Sequence, residues 1–137
     1  MSTNAVTETP AAPAAKAVAH FADRLAFETD CWDVSEALRS GNPGFILVDV
    51  RSPKLFAEGH VPGAINIPHG KLTAERLKSY QPETLFVVYC AGPHCNGSTK
   101  GALRLARLGR PVKEMIGGIT GWEDEGFDLS DTEYVPD

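Results

Sequence analysis

The sequence predicts an α/β domain with a central, mainly parallel β-sheet and helices on both faces. Apolar runs alternate with amphipathic stretches from about residue 32 to residue 127, and this alternation is typical of strand–helix–strand units. Two of the runs, residues 45–50 and 84–90, are almost continuously apolar, as expected of strands that are buried on both faces. The length of 137 residues fits one domain of this kind.

The two ends of the chain are predicted to lie outside the domain. Residues 1–15 are rich in Ala, Thr and Pro and carry almost no large apolar side chain. Such a segment buries too little apolar surface to offset the entropy lost on ordering, so a flexible tail is expected. We assign residues 16–130 to the domain and residues 131–137 to a C-terminal tail.

The first predicted helix covers residues 16–28. Val18, Phe21 and Leu25 recur there at helical spacing, which indicates one apolar face. Because this segment precedes the alternating strands and helices, we expect an extra helix on the outside of the domain. The sequence leaves open whether this helix caps the domain or contacts a second copy of the chain.

Local signals predict the boundaries of the elements that follow. Asp33, with Glu36 three residues later, resembles a capping box, and Gly41 follows the helix that it starts. Pro53 suits the first turn of a helix that Gly59 ends. The other predicted elements are strands over 45–50, 64–67, 84–90 and 112–116 and helices over 72–80, 98–108 and 119–125.

Charge and composition exclude several classes of function. A formal net charge of −5 argues against general binding to nucleic acid or to anionic membranes, because both depend on clustered positive charge. No apolar run approaches the roughly 18–20 residues of a membrane span, and the first residues lack the basic-then-apolar order of a signal peptide. We expect a cytoplasmic protein with three reduced cysteines, Cys31, Cys90 and Cys95.

Cys90 is the leading candidate for a catalytic residue. It ends the second long apolar run, and the loop that follows leads into a predicted helix. In parallel α/β folds, active sites collect at the carboxyl ends of the strands. The N–H groups of such a loop and the positive end of the helix dipole bind anions and stabilise a thiolate. A buried, unreactive cysteine at the strand end is the alternative.

Motifs along most of the chain resemble those of the rhodanese-like family. They are Leu-Val-Asp-Val-Arg at residues 47–51, Gly-His-Val-Pro-Gly-Ala-Ile-Asn-Ile-Pro at residues 59–68, Val-Val-Tyr-Cys at residues 87–90, and Gly-Gly at residues 117–118 followed by Trp122. The resemblance implies the rhodanese-like α/β fold, with five strands in a mainly parallel sheet.

The resemblance also implies that the protein is a sulfurtransferase. Cys90 would accept sulfur from a small sulfur-containing donor as a persulfide and pass it to a thiol or to a protein acceptor. Neither a metal nor an organic cofactor is implied, and neither nucleic acid nor a membrane is an expected partner. The resemblance leaves open the donor, the acceptor and the oligomeric state.

Further residues are carried over from the family one by one. Asp49 and Arg51 correspond to a structural charged pair that joins the strand end to the turn at residues 59–64. Such a pair is physically reasonable, because a buried carboxylate requires a partner. The loop expected to bind the substrate comprises Ala91, Gly92, Pro93, His94, Asn96, Gly97, Ser98 and Lys100.

The loop after Cys90 departs from the usual family loop in two ways. It is longer, because Ser98, the expected cap of the following helix, lies eight positions after Cys90. It also contains no arginine before Arg104. An anion such as thiosulfate would therefore depend on backbone amides, His94, Lys100 or Arg104.

Cys95, in the same loop, is a candidate resolving or alternative thiol. It could attack a persulfide on Cys90, releasing sulfide and leaving a disulfide, or be the nucleophile itself, since it lies nearer the helix start. A non-catalytic rhodanese-like module that binds a partner or senses thiol oxidation through both cysteines is the alternative function. Two further alternatives have less support: a zinc site that would recruit His69 and His94, and a phosphatase, which would need an arginine ending the loop.

Overall fold

Five parallel strands form one sheet at the centre of the computed structural model, which describes residues 4–132. The strands are β1 (Glu28–Asp30), β2 (Ile46–Asp49), β3 (Ile65–Asn66), β4 (Phe86–Tyr89) and β5 (Val112–Ile116). In space their order is β1-β5-β4-β2-β3, and every neighbouring pair is parallel. The predicted fold class is therefore confirmed.

Helices connect the strands and cover both faces of the sheet. They are α1 (Ala5–Glu8), α2 (Ala14–Phe27), α3 (Cys31–Arg39), α4 (Pro53–Glu58), a 3₁₀ turn (His69–Lys71), α5 (Ala74–Leu77), α6 (Gly97–Arg107) and α7 (Gly118–Asp124). In the part of the chain that the structure describes, no helix has both the length and the apolar character needed to cross a membrane.

The strand register brings the carboxyl ends of the central strands together. Asp49, the last residue of β2, is paired with Tyr89, the last residue of β4. On the other side of β4, Val88 is paired with Glu114 of β5. Cys90 follows β4 directly, so it lies in the middle of the edge where parallel α/β proteins bind their ligands.

Apolar side chains cover both faces of β4. Val87 belongs to a buried cluster with Trp122, whereas Val88 belongs to a second cluster with Leu105 and Cys90. Successive side chains of a strand point to opposite faces of the sheet. The continuous apolar run around Cys90 therefore reflects burial on both faces, as predicted.

Strand β1 and the start of α3 correct the sequence-based prediction. The prediction places Glu28 in a helix and uses Asp33 as the cap of the next one. In the structure, residues 28–30 pair with β5, and Asp30 caps α3 by accepting a 2.8 Å hydrogen bond from the Asp33 amide. The Glu-Thr-Asp segment has no apolar pattern, so its strand depends on the hydrogen-bonding partners that β5 supplies.

Helix α2 lies on the outside of the domain, and its apolar face stays exposed. Val18, Phe21 and Leu25 are 70%, 57% and 75% exposed. Lys113 of β5 donates a 3.1 Å hydrogen bond to the Leu25 carbonyl. The end of the helix is thus attached to the sheet, although the apolar face predicted from its spacing is not buried.

The segment after α7 packs against the domain near His60. The backbone N–H and C=O of His60 exchange hydrogen bonds of 2.8 and 2.7 Å with Ser130, and its ring Nε2 lies 2.9 Å from the Thr132 carbonyl. Trp122 donates a 2.9 Å hydrogen bond to the Asp128 carbonyl. These contacts hold the end of the described chain against α7 and the turn that follows α4.

The predicted tails are only partly described. Helix α1 lies within the predicted flexible segment 1–15, and all its residues are exposed. Of the predicted C-terminal tail, residues 131–137, only 131 and 132 belong to the described chain. Both assignments stay predictions.

Candidate active site

Cys90 lies where β4 ends and the loop toward α6 begins. Its side chain is 6% exposed and belongs to the apolar cluster that contains Leu105 of α6. Within the loop, the Cys95 amide donates a 3.0 Å hydrogen bond to the Gly92 carbonyl and closes a turn. Asn96 precedes α6, and its side chain makes no capping hydrogen bond. The predicted cap, Ser98, therefore lies one residue inside the helix instead of before it.

Gly97, the first residue of α6, lies against the Cys90 sulfur. A Cβ atom at this position would be 2.8 Å from Cys90 Sγ and 3.5 Å from Cys95 Sγ. Only a residue without a side chain therefore allows the helix to begin so close to both sulfurs. The first N–H groups of a helix have no partners within it and carry partial positive charge, so this arrangement suits a thiolate.

The start of α7 holds the other side of the loop. The amides of Ile119 and Thr120 donate hydrogen bonds of 3.1 and 3.0 Å to the carbonyls of Cys90 and Ala91. Gly118 has a φ of +57°, and a Cβ there would collide with the Cys90 carbonyl oxygen. The sequence-based interpretation uses the Gly-Gly pair as a family motif, and so it misses this close approach.

The loop brings Cys90 and Cys95 together, and the structure joins them in a disulfide. Their Cα atoms are 6.4 Å apart, within the usual range for such a bond. The structure thus differs from the expectation of three reduced thiols, and Cys31 is the free one. The turn between Gly92 and Cys95 returns the second cysteine toward the first, so the two thiols can react without rearrangement of the sheet.

A pocket of about 250 Å³ lies between this loop, the start of α6 and the end of β5. It is lined by Cys90, Gly92, Pro93, Cys95, Ser98, Thr99, Glu114, Met115, Ile116, Gly117 and Gly118. Ala91, Asn96 and Gly97, which are predicted to bind the substrate, do not line it. Glu114 is not among the residues predicted from the sequence. Its Oε2 accepts hydrogen bonds of 3.0 Å from both Ser98 Oγ and Thr99 Oγ1, so it lies directly beside the first turn of α6.

The basic residues that are near the loop in the sequence do not line the pocket in the structure. Lys100 and Arg104 line a separate groove of about 550 Å³, together with His69 and Arg107. His94 is exposed and does not line the pocket, but its ring lies close to Gly92, which does. Among residues 4–132, Glu114 is thus the one charged residue that lines the pocket beside the two sulfurs.

The amino-acid sequence also matches a known protein family over most of its length. The family described as "Rhodanese-like domain" matches residues 33–125. The chain belongs to the rhodanese-like family. The motifs quoted from the sequence lie inside the matched range, as does the whole pocket.

Individual relatives show the range of proteins that share this domain. The crystal structure of the BH2092 protein from Bacillus halodurans is 40% identical, with a TM-score of 0.83 and a coverage of 86% of each chain. The HTH-type transcriptional regulator Rv0324 of Mycobacterium tuberculosis is 38% identical over 80% of this chain and 49% of its own length. The chloroplastic thiosulfate sulfurtransferase 16 of Arabidopsis thaliana is 29% identical over 61% of this chain and 78% of its own length. The chain spans about half the length of the regulator.

In this rhodanese-like domain, Asp49 and Arg51 form a buried ion pair. Arg51 Nη2 lies 2.7 Å from Asp49 Oδ2 and also donates a 2.6 Å hydrogen bond to the Gly59 carbonyl. The pair therefore joins the end of β2 to the turn that follows α4. The Tyr89 hydroxyl donates to the same carboxylate, and burial followed by the charge of Asp49 raises the pKa of Tyr89.

Cys31 does not line the pocket; it lies behind the pocket wall, against Ile116 and Gly118. It is buried at the start of α3, with its sulfur 3.5 Å from the Ile116 carbonyl. Burial, and then the negative charges of Asp30 and Glu125, raise the pKa of Cys31 to about 11. A protonated, buried thiol is a poor nucleophile, so Cys31 is part of the core of the rhodanese-like domain.

The zinc alternative finds no support in the described chain. Between residues 4 and 132, no group of three or more His, Cys, Asp or Glu side chains lies close enough to hold a metal ion. His69 lines the groove with Lys100 instead of approaching the cysteines.

Proposed function

We propose that this protein is a sulfurtransferase that carries sulfane sulfur as a persulfide on Cys90. The main supporting observation is the contact between Cys90 and the first residue of α6, Gly97, at the wall of a pocket large enough for a small donor. Membership of the rhodanese-like family and the likeness to a plant thiosulfate sulfurtransferase support the same assignment.

The proposed reaction has two nucleophilic displacements. The Cys90 thiolate attacks the outer sulfur of a donor R–S–SH, the S–S bond of the donor breaks, and R–SH leaves with its bonding electrons and a proton. An acceptor thiolate then attacks the outer sulfur of the Cys90 persulfide and regenerates the Cys90 thiolate. No net oxidation occurs, because the sulfur atom moves between two thiols.

Two groups of backbone atoms would assist these steps. The N–H groups of the first turn of α6, which begins beside the Cys90 sulfur, and those of the loop that are not bonded within it would stabilise negative charge that develops on sulfur. The amides of Ile119 and Thr120 hold the carbonyls of Cys90 and Ala91, so the nucleophile keeps a fixed position. Side-chain cations contribute little, since Lys100 and Arg104 lie in the other groove.

Intact-mass measurement after incubation with a donor tests this proposal. The reduced wild type, Cys90→Ser and Cys95→Ser would each be treated with thiosulfate, 3-mercaptopyruvate and glutathione persulfide. We expect the wild type and Cys95→Ser to gain sulfur and Cys90→Ser to gain none. Labelling that survives in Cys90→Ser would show that another cysteine carries the sulfur and would contradict the assignment.

The Cys90–Cys95 disulfide favours a second candidate function, a thiol-redox module. In this case Cys95 attacks the inner sulfur of the Cys90 persulfide, hydrogen sulfide leaves, and the disulfide remains; a dithiol reductant must then restore both thiols. Without a sulfur donor, a two-electron oxidant such as hydrogen peroxide or a small disulfide would join the two thiols, and this oxidation would itself be the signal. Failure of every donor to label any variant, together with reversible disulfide formation, would favour this function over sulfur transfer.

A further inference from the structure

We infer that Glu114 selects the sulfur donor by charge: the site disfavours doubly anionic donors such as thiosulfate and favours alkyl persulfides that carry an ammonium group near the sulfane sulfur. This inference rests on the proposed function of Cys90. It concerns the class of donor, which the family resemblance leaves open.

The position of Glu114 places its charge at the mouth of the reaction site. Glu114 is paired in the sheet with Val88, two residues before Cys90. Its side chain lines the same pocket as Cys90 and Cys95. A donor that fills this pocket of about 250 Å³ must therefore bring its own charge within a few ångströms of the carboxylate.

In the described part of the chain, this carboxylate has no ion-pair partner of its own; Arg24, near β1, is paired with Glu28, the residue opposite Glu114 in the sheet. Within residues 4–132, Glu114 takes part in no salt bridge, and the pocket contains no Lys, Arg or His from that part of the chain. The interaction between two charges a few ångströms apart near a protein surface is weakened but not abolished by water. An incoming dianion is thus repelled, and a cation is attracted.

Glu114 also occupies the groups that would otherwise bind an anion. The hydroxyls of Ser98 and Thr99, in the first turn of α6, both donate to its Oε2. A carboxylate at a helix N-terminus offsets the positive end of the helix dipole. Within this turn, Gly97 faces the two sulfurs, whereas the side chains of Ser98 and Thr99 face Glu114. The turn can therefore stabilise the negative charge of one thiolate, but it has few free hydrogen-bond donors left for a second anionic group.

Three small persulfides of different charge provide the test, and each loading rate is divided by the rate of the same donor toward free glutathione, because their leaving thiols also differ in pKa. They are the persulfides of cysteamine, 2-mercaptoethanol and 3-mercaptopropionate, which are cationic, neutral and anionic, each prepared from its disulfide and hydrogen sulfide. The reduced Cys95→Ser protein, which serves as the parent, would be mixed with each donor, and the initial rate of sulfur addition to Cys90 read by intact mass. We expect the cationic donor to load faster than the anionic one by roughly tenfold, and thiosulfate to load most slowly.

Two variants isolate the charge of Glu114. Glu114→Gln keeps an oxygen that accepts from both hydroxyls and removes the charge, so the ratio of cationic to anionic loading should fall to within about twofold of unity. Glu123→Gln removes one charge from an exposed position of α7 outside the pocket and should leave the ratio unchanged. High salt should also reduce the ratio in the parent protein, because it screens exposed charges.

The outcomes separate this inference from the proposed function. If Cys90 accepts sulfur but neither Glu114→Gln nor high salt lowers the ratio of cationic to anionic loading, the inference is wrong while the sulfurtransferase assignment stands. The salt series uses the unaltered pocket, so a ratio that high salt leaves unchanged overturns the inference even where Glu114→Gln fails to fold. If no donor loads Cys90, both the proposed function and this inference are overturned.

Discussion

The Tyr89 hydroxyl donates a 2.7 Å hydrogen bond to Oδ2 of Asp49 and accepts one of 3.1 Å from the Val61 amide. Arg51 holds the same carboxylate and the Gly59 carbonyl. The residue directly before Cys90 is therefore bonded to the end of the neighbouring strand and to the turn beyond it. The position of the candidate nucleophile depends on a buried charge network one residue away.

Removal of Arg51 should destabilise the domain strongly. Arg51→Met leaves the fully buried Asp49 carboxylate without its cation, and we expect a loss of about 3–5 kcal/mol in the free energy of unfolding, measured by urea denaturation. Arg39→Met breaks an exposed pair with Glu36 and should cost less than about 1 kcal/mol. Equal losses of unfolding free energy in the two variants would show that the buried ion pair contributes no more to stability than the exposed one.

A methyl group at residue 97 should block sulfur loading. In Gly97→Ala the new Cβ would lie 2.8 Å from Cys90 Sγ, which forces the sulfur or the helix start to move. We expect the rate of persulfide formation to fall at least about tenfold, a barrier increase of about 1.4 kcal/mol. Gly70→Ala, where a Cβ meets no atom within 4 Å, is the matched control, and an unaffected Gly97→Ala would remove the steric argument.

Substitution of Cys95 should lengthen the life of the Cys90 persulfide. Because the two sulfurs are within bonding reach, intramolecular attack by Cys95 has the advantage of a high effective concentration. After removal of excess donor, Cys95→Ser should keep its added sulfur at least about tenfold longer than the wild type and release less hydrogen sulfide. If the persulfide decays at the same rate in both proteins, its sulfur is lost to thiols in solution and not to Cys95.

Cys31 should make the stability of the fold depend on pH in the alkaline range. Burial raises the pKa of Cys31 to about 11 from an ordinary 9.0. The native protein therefore retains a proton that the unfolded chain loses, so stability should be full below about pH 9 and fall as the pH rises to about 11, by at most about 3 kcal/mol. The measurement is urea unfolding from about pH 8 to about pH 11, with and without Cys31→Ala, in a background of Cys90→Ser and Cys95→Ser.

The comparison with Cys31→Ala removes other alkaline effects. Tyr89 also has a raised pKa, but both proteins contain it, so the difference between their pH profiles reports on Cys31. A constant difference across the alkaline range would contradict the assignment of a buried, protonated thiol.

The sequence predicts the central strands well, because their apolar runs are long and are buried on both faces. Strand β5 has the predicted bounds, residues 112–116. Strand β1 could not be predicted in the same way, because Glu-Thr-Asp has no apolar period and becomes a strand only through pairing with β5.

The candidate site could likewise be predicted only in part, because some of its residues meet through strand pairing. Cys90 and Cys95 are visible in the sequence because they flank one loop, but their bond depends on the turn between them. Glu114 lies sixteen positions after Ser98 in the chain and reaches it only because β5 lies beside β4. Strand order and register are properties of the whole fold, so spacing along one sequence does not reveal this neighbour.

The contacts of His60 show that the packed structure continues past the matched family range. The family match stops at residue 125, yet the backbone of His60 is paired with Ser130 and its buried ring lies against the Thr132 carbonyl. A chain shortened to the family boundary would leave these polar groups without partners and would uncover the indole N–H of Trp122. We therefore expect a stable fragment to need the chain at least as far as residue 132, and recombinant fragments or domain fusions should retain these residues.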